Sequence, residues 1–152
     1  MKIKRILFPT DFSKHSLAAL EYARSFSEKF QAQLHVLHVV HNSSYMVTTE
    51  GAELPRWSDE ELVGVARESM DKLLGSELAG SGEVIDVIEI GNPLVQIVRY
   101  ARNEKVDLIV MATHGRSGLA HIMMGSVAEK VVRKASCPVL TVRHPEHKFE
   151  MP

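Results

Sequence analysis

What most constrains the fold of this chain is a regular alternation: short β-branched runs separated by stretches with the 3.6-residue periodicity of amphipathic helices. Residues 3–8, 34–40, 84–90 and 106–111 have strand length and composition, and 139–142 add a fifth run. Behind Ser13, read as an N-cap, Ala19, Ala23, Phe26 and Phe30 recur at intervals of four, three and four, which predicts one crossover helix with an apolar face. Leu62, Ala66, Met70 and Leu73 repeat the stripe in a second helix, where Gly64 costs about 1 kcal/mol relative to Ala. A third opens at Asn92-Pro93, a capping residue followed by the proline that suits a first helical position, and buries Leu94, Ile97, Val98 and Ala101. The last is read from Ser126-Val-Ala-Glu129, a capping-box spacing, with Val127, Val131, Val132 and Ala135 inward. Strands apolar on both faces that alternate with helices predict an α/β fold: an open, doubly wound parallel sheet with helices on both faces and right-handed crossovers.

The 152 residues, 45% hydrophobic, suit one domain, expected over 1–144 and followed by a polar, fraying tail over 145–152. Residues 41–57 form a long polar connection, and 75–82 read as a Gly/Ser turn. Eighteen Lys and Arg against nineteen Asp and Glu leave a formal charge of −1, so no nucleic-acid partner is expected. Cys137 is the single cysteine, which excludes an internal disulfide and makes a cytoplasmic location the expectation. The apolar stretch near the N-terminus is too short for a signal peptide, and no window has the ~20 apolar residues of a spanning helix, so no membrane partner is expected either.

In an open parallel sheet, ligands bind beyond the carboxyl ends of the strands, where strand order reverses. Two polar loops are expected there. One is Phe8-Pro-Thr-Asp11-Phe-Ser13, in which the Asp11 carboxylate could accept from a ribose hydroxyl or a base amine, or could cap the following helix; the residues alone leave both open. The other is Met111-Ala-Thr-His-Gly115-Arg-Ser-Gly118, continuing to Gly125-Ser126 and the last helix. Its small residues let backbone amides approach an anion, Ser126 adds a hydroxyl, and the helix N-terminus adds about half a positive charge. A di- or triphosphate would fit, as would a plain glycine-rich turn before a capped helix. Neither GxxxxGK[ST] nor GxGxxG occurs.

The opening KRILFPTDFS, the run LHVLHVV, the GNP before the third helix and the stretch VDLIVMATHGRSGLAHIMMGSVAEKVVRKASCPVLTVR resemble the single-domain universal stress proteins over nearly the whole chain. The nucleotide-binding branch of that family carries Gly, two residues, Gly, nine residues, then Gly and Ser or Thr. Here Ala112, Gly115 and Gly125-Ser126 hold those places, so only the first glycine departs. Alanine adds one methyl and keeps its amide available where φ is negative.

The resemblance implies an adenine nucleotide alpha hydrolase-like sheet of order 3-2-1-4-5 that binds ATP with Mg²⁺. It assigns the adenine and ribose end to Pro9, Thr10, Asp11 and the backbone at Val39, closed over by Met111 and Ala112. It assigns the phosphates to Gly115, Arg116, Ser117, Gly125, Ser126 and Val127. His114 and Arg116, flanking Gly115, are phosphate candidates by chemistry, Arg116 through charge-assisted bonds. A Gly125→Val change is expected to fill phosphate space. The last strand, at a sheet edge, would be covered by antiparallel pairing in a homodimer.

Other chemistry-bearing residues read as structural. His35, His38 and His41 are evenly spaced, but on a strand residues three apart face opposite ways and cannot share one ion. His144 at the domain's end and Glu146 and His147 on the tail read as solvated, Cys137 as packing, Met123 and Met124 as filling under the glycine loop, and Lys130, Arg133 and Lys134 as a solvent face. The function expected is a nucleotide-dependent stress or signalling module, with a slow ATPase or phosphotransferase and a nucleotide-free dimeric scaffold as alternatives.

Overall fold

In a computed structural model, which describes residues 2–41, 57–114 and 125–143, the order is β1 (Arg5–Thr10), α1 (Lys14–Leu17), α2 (Leu20–Phe30), β2 (Gln33–Val40), α3 (Asp59–Glu77), β3 (Val84–Ile90), α4 (Pro93–Asn103), β4 (Leu108–Ala112), α5 (Ser126–Lys134) and β5 (Val139–Val142). The sheet is parallel throughout, in the order β3-β2-β1-β4-β5. The doubly wound expectation therefore stands. Strand alternation splits the core into two layers. Ile6, Phe8, Leu34, Val36 and Val110 meet Leu20 and Ala23 of α2 and Met70 and Leu73 of α3 on one face. Leu7, Leu37, Ile109 and Met111 meet Ile97 and Ala101 of α4 and Ala128 and Val131 of α5 on the other. The expected 41–57 connection, the loop over 115–124 and the tail lie largely or wholly outside the described residues.

Several local expectations need correction. The first strand runs two residues later than 3–8, through Pro9 to Thr10. The fourth starts at Leu108 rather than 106, because Lys105 turns left-handed (φ 50°) and the Val106 amide closes onto Ala101. The single first helix is two: Ser13 does cap α1, accepting from the Ser16 amide, but the chain turns at Ala18 and Ala19 before α2 begins. Phe30, assigned to the apolar stripe, is exposed at the end of α2, and Val132, assigned to the inner side of α5, faces out while Ala128 packs inward.

Helix α3 begins with a full capping box between Ser58 and Glu61, and it continues through Gly75, so the Gly/Ser turn starts only after Glu77. Conversely, the capping box expected at Ser126 does not form. Gly125 is the N-cap, Ser126 is the first helical residue, and Glu129 pairs instead with Arg133. At the exposed β3 edge, Arg67 of α3 holds Asp86 and Arg99 of α4 holds Glu89, placing charge on a strand otherwise open to pairing.

Candidate functional site

A gap opens at the centre of the sheet. Strands β1 and β4 pair only at Ile6↔Leu108 and Leu7↔Ile109, whereas the β1–β2 ladder continues to Thr10↔His38 and the β4–β5 ladder to Ala112↔Val142. Pro9 accounts for the divergence. The Lys4 carbonyl receives the Gln33 amide of β2 and the Arg5 carbonyl the Asp107 amide at β4, so main-chain groups of odd residues face β4. Position 9 would supply the next donor toward β4, and proline has none. The two strands splay at the point where strand order reverses, and a cavity of about 360 Å³ occupies the space.

The first wall is the loop after β1. The Thr10 carbonyl accepts from His38 Nδ1 (2.8 Å), the Phe12 amide donates to Thr10 Oγ1 (3.0 Å), and Thr10 Oγ1 pairs with Ser16 Oγ at 2.9 Å. Asp11 Oδ1 accepts from the Ser13 amide at 3.0 Å. Asp11 therefore orders the approach to α1 while Ser13 performs the capping, and Asp11 also lines the cavity. Of the two readings left open by the sequence, capping falls to Ser13, and Asp11 stands at the cavity as a candidate ligand contact.

The opposite wall is β4 and the start of α5. Ala112 is a buried strand residue outside the positive-φ set, so the alanine that replaces the family glycine sits in a conformation open to any residue. Thr113 Oγ1 pairs with His114 Nδ1 at 3.0 Å. The Gly125 amide donates to the Thr113 carbonyl at 2.6 Å, which brings the N-terminus of α5 against the end of β4. A Cβ at Gly125 would stand 2.9 Å from that carbonyl oxygen. The glycine is needed for this approach of two backbones, and this adds a reason of its own to the Gly125→Val expectation: the side chain would meet the Thr113 carbonyl just beyond β4.

Pro9, Thr10, Asp11, Val39, Met111, Ala112, His114, Gly125, Ser126 and Val127 all line this one cavity. Gly115, Arg116 and Ser117 lie outside the described residues, as do Met123 and Met124. Sequence reasoning missed Ser16, Leu37, Pro93, Ile97, Thr113 and Ala128, which also line it. Pro93 and Ile97 are about one turn apart on α4, but Pro93 read only as the first helical residue and Ile97 only as part of the apolar stripe. Leu37, Val39, Ile97 and Met111 make one end apolar, while Thr10, Asp11, Ser16 and Ser126 supply oxygens elsewhere in the cavity. The α5 N-terminus, whose N-cap Gly125 has no side chain to cap it, adds first-turn amides and its dipole.

His35 and His38 of β2 and His41 just beyond it each hold different partners. His35 bonds Tyr100 Oη (2.7 Å) and Gln33 Oε1 (2.8 Å), His38 reaches Thr10, and His41 donates to the Gly91 carbonyl. Burial lowers the His35 pKa; Glu104 and Glu83 oppose that and Arg5 adds to it. Burial, with Glu104 and Glu89, pushes Tyr100 up to about 12, keeping its hydroxyl protonated as a partner for His35. Burial and Asp107 raise the Cys137 thiol, which leaves it a poor nucleophile. Among the described residues no three His, Cys, Asp or Glu side chains gather around a metal position, and no helix is long and apolar enough to cross a membrane.

A sequence profile of the universal stress protein family matches residues 2–143. Universal stress protein MJ0531 of Methanocaldococcus jannaschii is 35% identical over 146 residues, covering 94% of this chain and 84% of its own length. Universal stress protein MJ0577 of the same organism is 32% identical over 153 residues, covering 92% and 94%. The solved structure of MJ0577 superposes with a TM-score of 0.81 over 96% of this chain and 99% of that one. The same fold is shared by a universal stress protein solved in complex with cAMP (23% identity, TM-score 0.65, 94% and 98% covered) and by one from Archaeoglobus fulgidus in complex with dAMP (20%, 0.68, 94% and 100%).

Proposed function

The chain belongs to the universal stress protein family, and on that premise we propose that the cavity between β1 and β4 binds ATP and that the protein acts as a nucleotide-dependent stress or signalling module. The observation that carries this reading is the gathering of every described candidate residue around one cavity at the switch point of the sheet. The apolar end formed by Leu37, Val39, Ile97 and Met111 suits a purine ring. Asp11 and the Val39 backbone address ribose and base. Ser126, Val127 and the α5 amides take the phosphates, joined by Gly115, Arg116 and Ser117.

Mg²⁺ enters as the counter-ion of the triphosphate. It commonly keeps waters and binds through one or two carboxylates plus phosphate oxygens, a set that Asp11 and Ser126 suit chemically. The oxygens, the single carboxylate among the described lining residues and the apolar slot equip the site to hold a nucleotide. Phosphoryl transfer would further require a nucleophile and charge stabilisation aimed at the γ-phosphate, so the reading is a binding module. The same proposal places the protein in the cytoplasm as a homodimer paired through β5.

The test is mass spectrometry of whatever the freshly purified full chain releases on denaturation, followed by calorimetric titration of the emptied protein with ATP and Mg²⁺. An adenine nucleotide recovered at near one per chain, or saturable ATP binding, is the expected result. An empty protein that also shows no heat with ATP would overturn it and leave a dimeric scaffold.

A further inference from the structure

One residue of β2 breaks the chemistry of its own face. Leu34, Val36 and His38 point the same way, and the first two are fully buried in an apolar layer. His38 is itself only 8% exposed, and its ring lies under the loop that follows β1. Carbonyl oxygens only accept, so the ring nitrogen facing Thr10, Nδ1, carries the proton and donates. Above the same ring lies Phe12, with centroids 4.4 Å apart and planes tilted by 30°.

Phe12 has φ 62°, a left-handed conformation that an aromatic residue keeps only when its surroundings impose it. Here those surroundings are the His38 ring and the Phe12 amide bond to Thr10 Oγ1. His38 thus grips the chain on both sides of Asp11, through the carbonyl before it and the ring after it. Asp11, whose Oδ1 takes the Ser13 amide, has its backbone fixed from both ends where it lines the cavity.

We propose that His38 is a positioning residue for the ligand site, setting the Asp11 carboxylate at the cavity by donating to Thr10 and supporting Phe12. The proposal deepens the nucleotide reading and rests on it for its consequence, but its geometric content concerns the free protein. It makes His38 matter to binding although it is not among the cavity-lining residues.

The test uses the full chain with His38→Leu, which keeps most of the volume and loses the donor, and His38→Asn, whose amide nitrogen can stand where Nδ1 stood. In nucleotide-free protein, hydrogen exchange at the Phe12 and Ser13 amides should accelerate about tenfold in His38→Leu and stay near wild type in His38→Asn. In calorimetry, ATP affinity should fall about tenfold in His38→Leu and recover to within about threefold in His38→Asn. In an Asp11→Ala background the His38→Leu change should cost less than about twofold, because the group it positions is gone. Unchanged exchange in a folded His38→Leu protein, or an equal loss of affinity with and without the Asp11 carboxylate, would overturn the proposal. Failure of the wild-type chain to bind ATP would instead sink the nucleotide reading, with the exchange rates still deciding whether His38 holds the loop.

Discussion

Replacing Gly125 by alanine sets two physical effects of opposite sign against each other. Gly125 has φ −65° and ψ 147°, a conformation open to any residue, so from backbone entropy alone alanine would stabilise the protein by about 0.4–1 kcal/mol. Against this, the new Cβ would lie 2.9 Å from the Thr113 carbonyl oxygen, and that partner is backbone held in the sheet by the bond from the Thr113 amide to Val142. Relieving such an overlap costs about 1–3 kcal/mol. Pushing α5 away weakens the 2.6 Å bond from the Gly125 amide, about 1 kcal/mol more. The contact terms win, for a net loss of about 2 kcal/mol, or about 4–8 °C in Tm for a chain of this size. Calorimetric melting of the nucleotide-free protein measures it, with Gly64→Ala as control. Gly64 lies inside α3 with nothing within 4 Å of its would-be Cβ, so alanine there should raise stability by about 0.5–1 kcal/mol. A Gly125→Ala protein that melts at or above wild type would refute the argument that this glycine exists to let α5 close on β4.

Two further outcomes follow from the same geometry. Ser126→Ala should leave Tm within about 1 °C of wild type, because Ser126 is not the N-cap, yet weaken ATP binding several-fold; a Tm loss of about 2–4 °C, the usual effect of deleting a cap in a chain of this size, would show the capping assignment to be wrong. His35, held neutral by burial, has a folded-state pKa below its ordinary value near 6.5, so the unfolded chain takes up the proton first. Its contribution to stability is present above that value and lost as pH falls through the lowered one. The fall in Tm between pH 7 and 5 should be shallower in His35→Gln than in wild type, and parallel curves would remove His35 as a source of acid sensitivity.

The fold was legible because its determinants are periodic. The β3 and β5 bounds and the Asn92-Pro93 start of α4 match the sequence reading, since each rests on a strong local signal: an apolar run or a cap with proline at N1. The errors fall where a tertiary contact decides. Pro9 falls beyond the expected end of the first strand, but its missing amide faces β4 and ends only that ladder, so β1 runs on beside β2 to Thr10. Ser126-x-x-Glu129 has capping-box spacing, but the bond from Gly125 to Thr113 fixes the helix start one residue earlier. The first helix breaks because Ser16 is tied to Thr10 and to the Ser13 carbonyl, a bond pattern with no sequence period.

The same reasoning explains why Asp11, Gly125 and Ser126 could be singled out from the residues alone, whereas Val39 and Met111 came only with the resemblance and Leu37, Ile97 and Ala128 not at all. Asp11, Gly125 and Ser126 are conspicuous in a sequence because a carboxylate, a glycine and a hydroxyl at loop ends interrupt the apolar period on either side. Leu37, Ile97 and Ala128 carry no such mark, since a residue that lines a cavity and one that fills a core obey the same periodicity. What separates them is the cavity that opens where β1 parts from β4, which Leu37 and Ile97 line while also packing in the core. His38 lies between these classes: a polar residue at an apolar position, visible in the sequence as an exception, but intelligible only once the Thr10 carbonyl and the Phe12 ring are seen to converge on it. An apolar strand position occupied by histidine directly beside a cavity-lining loop is therefore better read through what its ring nitrogens hold than through metal spacing.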